Sequence, residues 1–218
     1  VSPLVSLLRR IGPVGLLAGT AVLVVVASLA LVLFDQPPGE GSAEAGFARD
    51  MSVHHAQAVE ISQIVLDKTD DPAIENLATD ITLTQQSQIG RMQGWLSVWG
   101  LPISGAGESM AWMGHEVDGR MPGMASPEEL NELRNADGEE ADEVFLRLMI
   151  PHHEAAIPMS RALIQRSDNE AVTGLAEAII PSQSSEIEIM RQMRRERGLE
   201  PGAGGGVHEG HGGHGQGG

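Results

Sequence analysis

Apolar and semi-polar positions recur at intervals of four and three residues from Phe47 through Met51, His54, Ala58, Ile61 and Val65. The same spacing returns from Phe145 through Met149, His152, Ala156, Met159 and Leu163. A stripe with that period is one face of an α-helix turned toward a core. The first stripe ends at Thr69-Asp70-Asp71-Pro72. There Asp71 can cap and Pro72 suits the first helical position, which predicts a second helix to about Trp99. Its counterpart is expected to start near Asp168 and run to Arg197. The pattern therefore predicts two helical hairpins, over 47–100 and 145–198. They close as an all-α, antiparallel four-helix bundle in which four apolar stripes share one core. The connection, 101–140, carries Ser126-Pro127-Glu128-Glu129, a capping-box pattern that should open one short additional helix.

The hairpins are copies of one another. At a fixed offset of 98 residues, Phe47-x-x-x-Met51-x-x-His54-His55 recurs as Phe145-x-x-x-Met149-x-x-His152-His153. Without a gap, Ser62 aligns with Ser160, Leu77 with Leu175, Ile81 with Ile179, Gln85 with Gln183 and Met92 with Met190. The domain over 47–200 is thus a duplicated unit.

Outside it, the run from Ile11 to Phe34 has no charge and follows Arg9 and Arg10. It reads as a single membrane-spanning helix over 11–34, longer than the apolar core of a cleaved signal peptide. The two arginines would keep 1–10 cytoplasmic and place the bulk of the chain on the extracytoplasmic side. Residues 35–46 form a polar linker. Residues 201–218, almost all Gly with His208, His211 and His214, cannot build a core and are expected to be disordered.

Composition narrows the chemistry. Of the 218 residues, 30 are Asp or Glu and 14 Lys or Arg, for a net charge of −16, and Lys68 is the single lysine. That balance argues against a nucleic-acid partner, because phosphate binding needs a clustered basic face. With no cysteine, thiolate metal sites, disulfides and cysteine nucleophiles are excluded as well. No histidine has a Glu three positions earlier, which argues against a di-iron carboxylate centre. His153-Glu154 lacks the second His of a zincin motif, and there is no Gly-x-Ser-x-Gly elbow.

Folding each hairpin about its turn sets His54 opposite Gln85 and Met51 opposite Gln88, and in the copy His152 opposite Gln183 and Met149 opposite Glu186. Polar groups buried in an apolar core need partners. One reading is a hydrogen-bonded His–Gln layer that fixes helix register. The other is a metal site formed by His54, His55, His152, His153, Met51 and Met149, with Gln85, Gln88, Gln183 and Glu186 as supporting groups or weak ligands. A thioether and an imidazole three residues apart share one helix face, a donor set suited to Cu(I) or Cu(II) rather than Mg or Ca. Met110, Met113, His115, Met121 and Met124 form a second candidate set, a loop able to wrap Cu(I) or simply to fill gaps in packing. The tail histidines His208, His211 and His214 are a third, looser set.

The doubled Phe-x-x-x-Met-x-x-His-His motif, with Met121-Pro-Gly-Met124-Ala-Ser-Pro-Glu-Glu-Leu between its copies, resembles a bacterial family designated domain of unknown function three-zero-five. The resemblance covers about residues 45–200. It implies a ferritin-like four-helix fold and, from the family's CopM-like members, an exported copper-binding protein for sequestration, resistance or delivery. Pro151, Pro158 and Pro181 depart from the first unit, which has Val53, Glu60 and Leu83 there. They are expected to kink the second unit and alter its half-site. The expectation is a binding protein rather than an enzyme, though copper redox chemistry would use the same ligands. Its partners would be a metal ion, the membrane, and a copper protein or membrane complex. The alternative is an accessory subunit docking on a membrane (respiratory) complex through Trp95, Trp99 and Trp112.

Overall fold

The computed structural model describes residues 13–34, 37–105, 107–114 and 119–199. The chain divides into two units, Val1–Gly39 and Glu40–Gly218. In the first, α1 spans Pro13–Phe34, 22 residues without a charged side chain. Among the described residues no helix is long and apolar enough to cross a membrane. The expected transmembrane role of 11–34 is therefore not a feature of the fold described here. Residues 1–12 and 201–218 lie outside the described residues.

In the second unit every regular element among the described residues is helical: α2 (Ala43–Leu66), α3 (Pro72–Val98), a 3-10 turn (Ala111–Met113), α4 (Pro127–Asn135), α5 (Glu139–Ile164) and α6 (Glu170–Glu196). The caps follow local chemistry. Asp71 accepts a hydrogen bond from the Ala73 amide and Pro72 opens α3, while Asn169 does the same for α6 through Ala171. Ser126 and Glu129 form a reciprocal capping box at α4, which satisfies two amides that the helix itself leaves free. Helix α2 begins at Ala43 with Ser42 as cap, so part of the expected 35–46 linker is already helical.

The hairpins α2–α3 and α5–α6 meet chiefly through α2 and α5. One apolar cluster joins Ala58, Ile61 and Val65 to Val144, Phe145 and Met149, and the other joins Phe47, Ala48 and Met51 to Ala156, Met159 and Leu163. The helices are therefore antiparallel, and the duplicated motifs cross at their midpoints. The three prolines do not break the second unit: α5 runs through Pro151 and Pro158, and α6 through Pro181. All three lie on exposed faces, where water can solvate the carbonyl that a proline leaves unbonded four residues earlier.

Candidate metal centre

His54, His55, His152 and His153 are each 0% exposed. Each vicinal pair presents both rings inward because the neighbouring stripe, 100° around the helix, is also buried. At the crossing of α2 and α5, the His54 and His152 rings lie 3.8 Å apart between centroids with planes inclined by 35°. His55 and His153 flank them, 6.5 and 6.2 Å from their sequence neighbours.

The outer rings have matched partners. His55 Nε2–H donates to Gln88 Oε1 at 2.6 Å, and His153 Nε2–H donates to Glu186 Oε2 at 2.7 Å. These pairs correct the expected facing of His54 with Gln85 and of His152 with Gln183: the true pairs lie one helical turn further from the hairpin turn on α3 and α6. Gln85 and Gln183 are buried, yet their amide atoms have no hydrogen-bond partner. His54 Nε2 lies 3.3 Å from the Pro122 carbonyl, to which it donates. With the proton on Nε2 in the neutral His54 and His55 rings, each Nδ1 there is a lone pair. The Nδ1 atoms of all four histidines, and Nε2 of His152, are buried without a hydrogen-bond partner.

Burial holds His54, His55 and His152 neutral. Desolvation, opposed by the Pro122 contact, lowers His54 to about 4, and desolvation with the His54 ring beside it lowers His55 to about 3. His152 is pushed well below the ordinary imidazole range by burial and then by its imidazole neighbours. Met51 and Met149 are fully buried on the same helices, in opposite apolar clusters. Among the described residues no three His, Asp or Glu side chains converge at coordination distance. Facing rings direct their in-plane lone pairs past one another, so a shared ion would require ring rotation. The donor set itself suits copper: neutral imidazole with thioether nearby.

The methionine connection gathers at one end of the bundle. Met110 and Met121 are buried in a cluster with Met51, Met92 and Met159, and Met113 and Met124 pack on its edge. His115, expected to join them, lies outside the described residues, as do His208, His211 and His214. The connection is fastened by Asp50, whose Oδ2 accepts from the Met110 amide and from Trp112 Nε1, both at 2.8 Å. Met110 adopts φ 65°, a left-handed conformation rare for a residue with a side chain. Burial raises the Asp50 carboxyl above its ordinary range. Trp112 is thus an internal brace, edge-on to Phe47 at 5.9 Å, while Trp95 and Trp99 stack half-buried.

The sequence reading missed Asp50 and the Pro122 carbonyl. Asp50 could have been found, because its counterpart 98 residues on is Leu148 and an unmatched acid in a duplicated helix needs a reason. A backbone carbonyl carries no such signal.

Residues 44–194 match the family model described as Domain of unknown function (DUF305). A Streptomyces coelicolor protein of this family, thought to be secreted, is 43% identical with a TM-score of 0.72, over 76% of this chain and 100% of that one. A DUF305 fragment from Deinococcus radiodurans is 31% identical with a TM-score of 0.62, over 73% and 99%. CopM in its Cu(I)-bound form is 26% identical with a TM-score of 0.57, over 71% and 96%, and CopM is also known in Cu(II)-bound and Ag-bound forms. A mimivirus protein of Acanthamoeba polyphaga, L153, is 41% identical over 59 residues, and the match spans 39% of that relative's length. The extent of the family match, together with the doubled His-His motif at the helix crossing, identifies this chain as a member of the DUF305 family.

Proposed function

We propose that this protein binds copper in the core of its bundle and holds it for sequestration, resistance or delivery, acting as a binding protein rather than an enzyme. The observation that carries the reading is the set of unpartnered imidazole nitrogens. Left unmet, each such buried atom costs roughly 1–3 kcal/mol. On His55 and His153 the opposite nitrogen donates to an amide or carboxylate oxygen, the arrangement that fixes the tautomer and orientation of metal-bound histidine. Met51 and Met149 would complete a site for the softer Cu(I) state. The structural likeness to copper-bound CopM supports the same metal.

The proposed location is extracytoplasmic, as for the secreted Streptomyces coelicolor relative. The test is copper titration of the chain with and without 201–218, under reducing and oxidising conditions, beside a variant with all four core histidines changed to Ala. Binding that survives tail removal and disappears in the variant is expected. Unchanged stoichiometry and affinity in the variant would sink the proposal and favour a docking subunit whose histidines are structural.

A further inference from the structure

The connection between the hairpins crosses the histidine core. The Met124 amide donates to the Met121 carbonyl at 3.2 Å, with Pro122 and Gly123 between them and Gly123 at φ 76°. That is a type II turn, in which proline suits the second position and glycine the third. Its Pro122 carbonyl is the oxygen that accepts from His54 Nε2–H. The turn also rests on α5: a Cβ at Gly123 would lie 3.0 Å from His152 Cα and 2.7 Å from Ala155 Cβ.

One side chain of α2 holds this turn in place. Gln57, half-buried, accepts from the Ala125 amide at 2.7 Å and donates to the Ala125 carbonyl at 3.0 Å. A primary amide presents the donor and the acceptor that both bonds need. At the 98-residue offset the counterpart of Gln57 is Ala155, so the duplicated position grips the connection on α2 and makes room for it on α5. Satisfying the backbone of the buried Ala125 would by itself be a reason for Gln57. The turn it seats does more, because its carbonyl fixes one ring of the central pair. His152, against which that ring lies, has no such acceptor, and its Nε2 is unpartnered.

We propose that Gln57 is a positioning residue for the metal centre: by seating the turn it keeps the proton of His54 on Nε2 and leaves Nδ1 as the nitrogen offered to the ion. The proposal rests on the copper reading for its purpose, but the tautomer is read without metal. The experiment is long-range ¹H–¹⁵N spectroscopy of the metal-free full chain at pH 7, beside Gln57→Ala and Gln57→Glu, followed by Cu(I) competition titration of the parent and Gln57→Ala. His54 is expected to carry its proton on Nε2 in the parent and in Gln57→Glu, which keeps the acceptor for the Ala125 amide, and to be a mixture of tautomers in Gln57→Ala. If the Nε2–H form falls to about a third of the population there, Cu(I) affinity should fall about threefold, because only that form is competent. A proton on His54 Nδ1 in the parent, an unchanged tautomer in Gln57→Ala, or a shifted tautomer with unchanged Cu(I) affinity would each overturn the proposal. A parent that binds no copper would instead sink the copper reading, and the metal role of Gln57 with it, whatever the tautomers show.

Discussion

The ring of His54 lies against that of His152, its own image in the duplicated sequence, at 3.8 Å between centroids. A purely structural pair would be expected to satisfy its nitrogens, yet both nitrogens of His152 are unpartnered. His152→Leu should leave the metal-free protein within about 1 kcal/mol of the parent, because it deletes buried polar atoms without orphaning a partner. Copper affinity should nevertheless fall by at least about tenfold, one ligand's worth. Urea denaturation of metal-free protein and copper competition titrations, run on the same preparation, check both halves.

Glu186 and Gln88 should be exchangeable as hydrogen-bond acceptors but not dispensable. Glu186→Gln is expected to change stability by less than about 1 kcal/mol, since the acceptor for His153 Nε2–H at 2.7 Å is retained. Glu186→Ala leaves that N–H buried and unpaired and should cost roughly 1–3 kcal/mol. A comparable loss for Gln88→Ala would show that the half-sites depend equally on their orienting partners.

Two glycines make room for the methionine connection. A Cβ at Gly46 would sit 2.4–2.7 Å from the Trp112 side chain, and one at Gly123, where φ is +76°, would sit 2.4 Å from the Pro151 carbonyl oxygen. Gly→Ala within a helix normally gains up to about 1 kcal/mol, so the sign is diagnostic. Gly46→Ala should instead destabilise by about 1–3 kcal/mol and shift the tryptophan emission as Trp112 leaves its seat. An increase in melting temperature would show that Trp112 does not pack there in solution.

Acid should weaken the metal-free fold through the buried rings. His54 and His55 titrate in the folded chain at about 4 and about 3 against roughly 6.5 when unfolded, so the folded state takes up fewer protons. Their contribution is fully present above pH about 6.5 and is lost as pH falls from there toward 4 and then 3, reaching roughly 3 kcal/mol for His54 alone. Asp50 and Asp142, both raised by burial, act oppositely as they gain protons near the carboxylate range. Denaturation midpoints at pH 7, 5.5 and 4.5 should fall in that order, and the slope should flatten in the four-histidine variant. The same burial sets the pH range in which protons compete with copper. Affinity should not decline through the ordinary imidazole range but stay level from pH 7 to about 5 and drop near 4, where protons begin to compete in the folded state.

Much of the fold is legible in the sequence because it rests on periodicity and caps, which are local. The 98-residue offset gave both hairpins, and Asp71-Pro72 and Ser126-x-x-Glu129 marked real helix starts. The expected pairing of His54 with Gln85 failed by one turn for a geometric reason. Side chains on a helix tilt toward its N-terminus. The His55 side chain therefore leans away from the hairpin turn, and that of Gln88, on the antiparallel helix, leans back toward it. They meet although Gln88 is four residues further from the turn than a mirror folding allows. That α5 and α6 continue through their prolines is not legible in the sequence, which does not say which face of a helix a proline occupies. The Asp50 clamp depends on the path of the connection, which no repeat encodes.

Fusing two copies into one chain has a consequence for how the central imidazole pair can change. In a symmetric homodimer any substitution near the axis is made twice, and the two sides must stay identical. Here Gln88 has become Glu186 on one side only, and the Pro122 carbonyl contacts only one of the two stacked rings. The axis region is therefore polar in the directional sense, with a carboxylate on one flank and an amide on the other. A cation entering it would meet unequal sides, a gradient that two identical halves could not have set up.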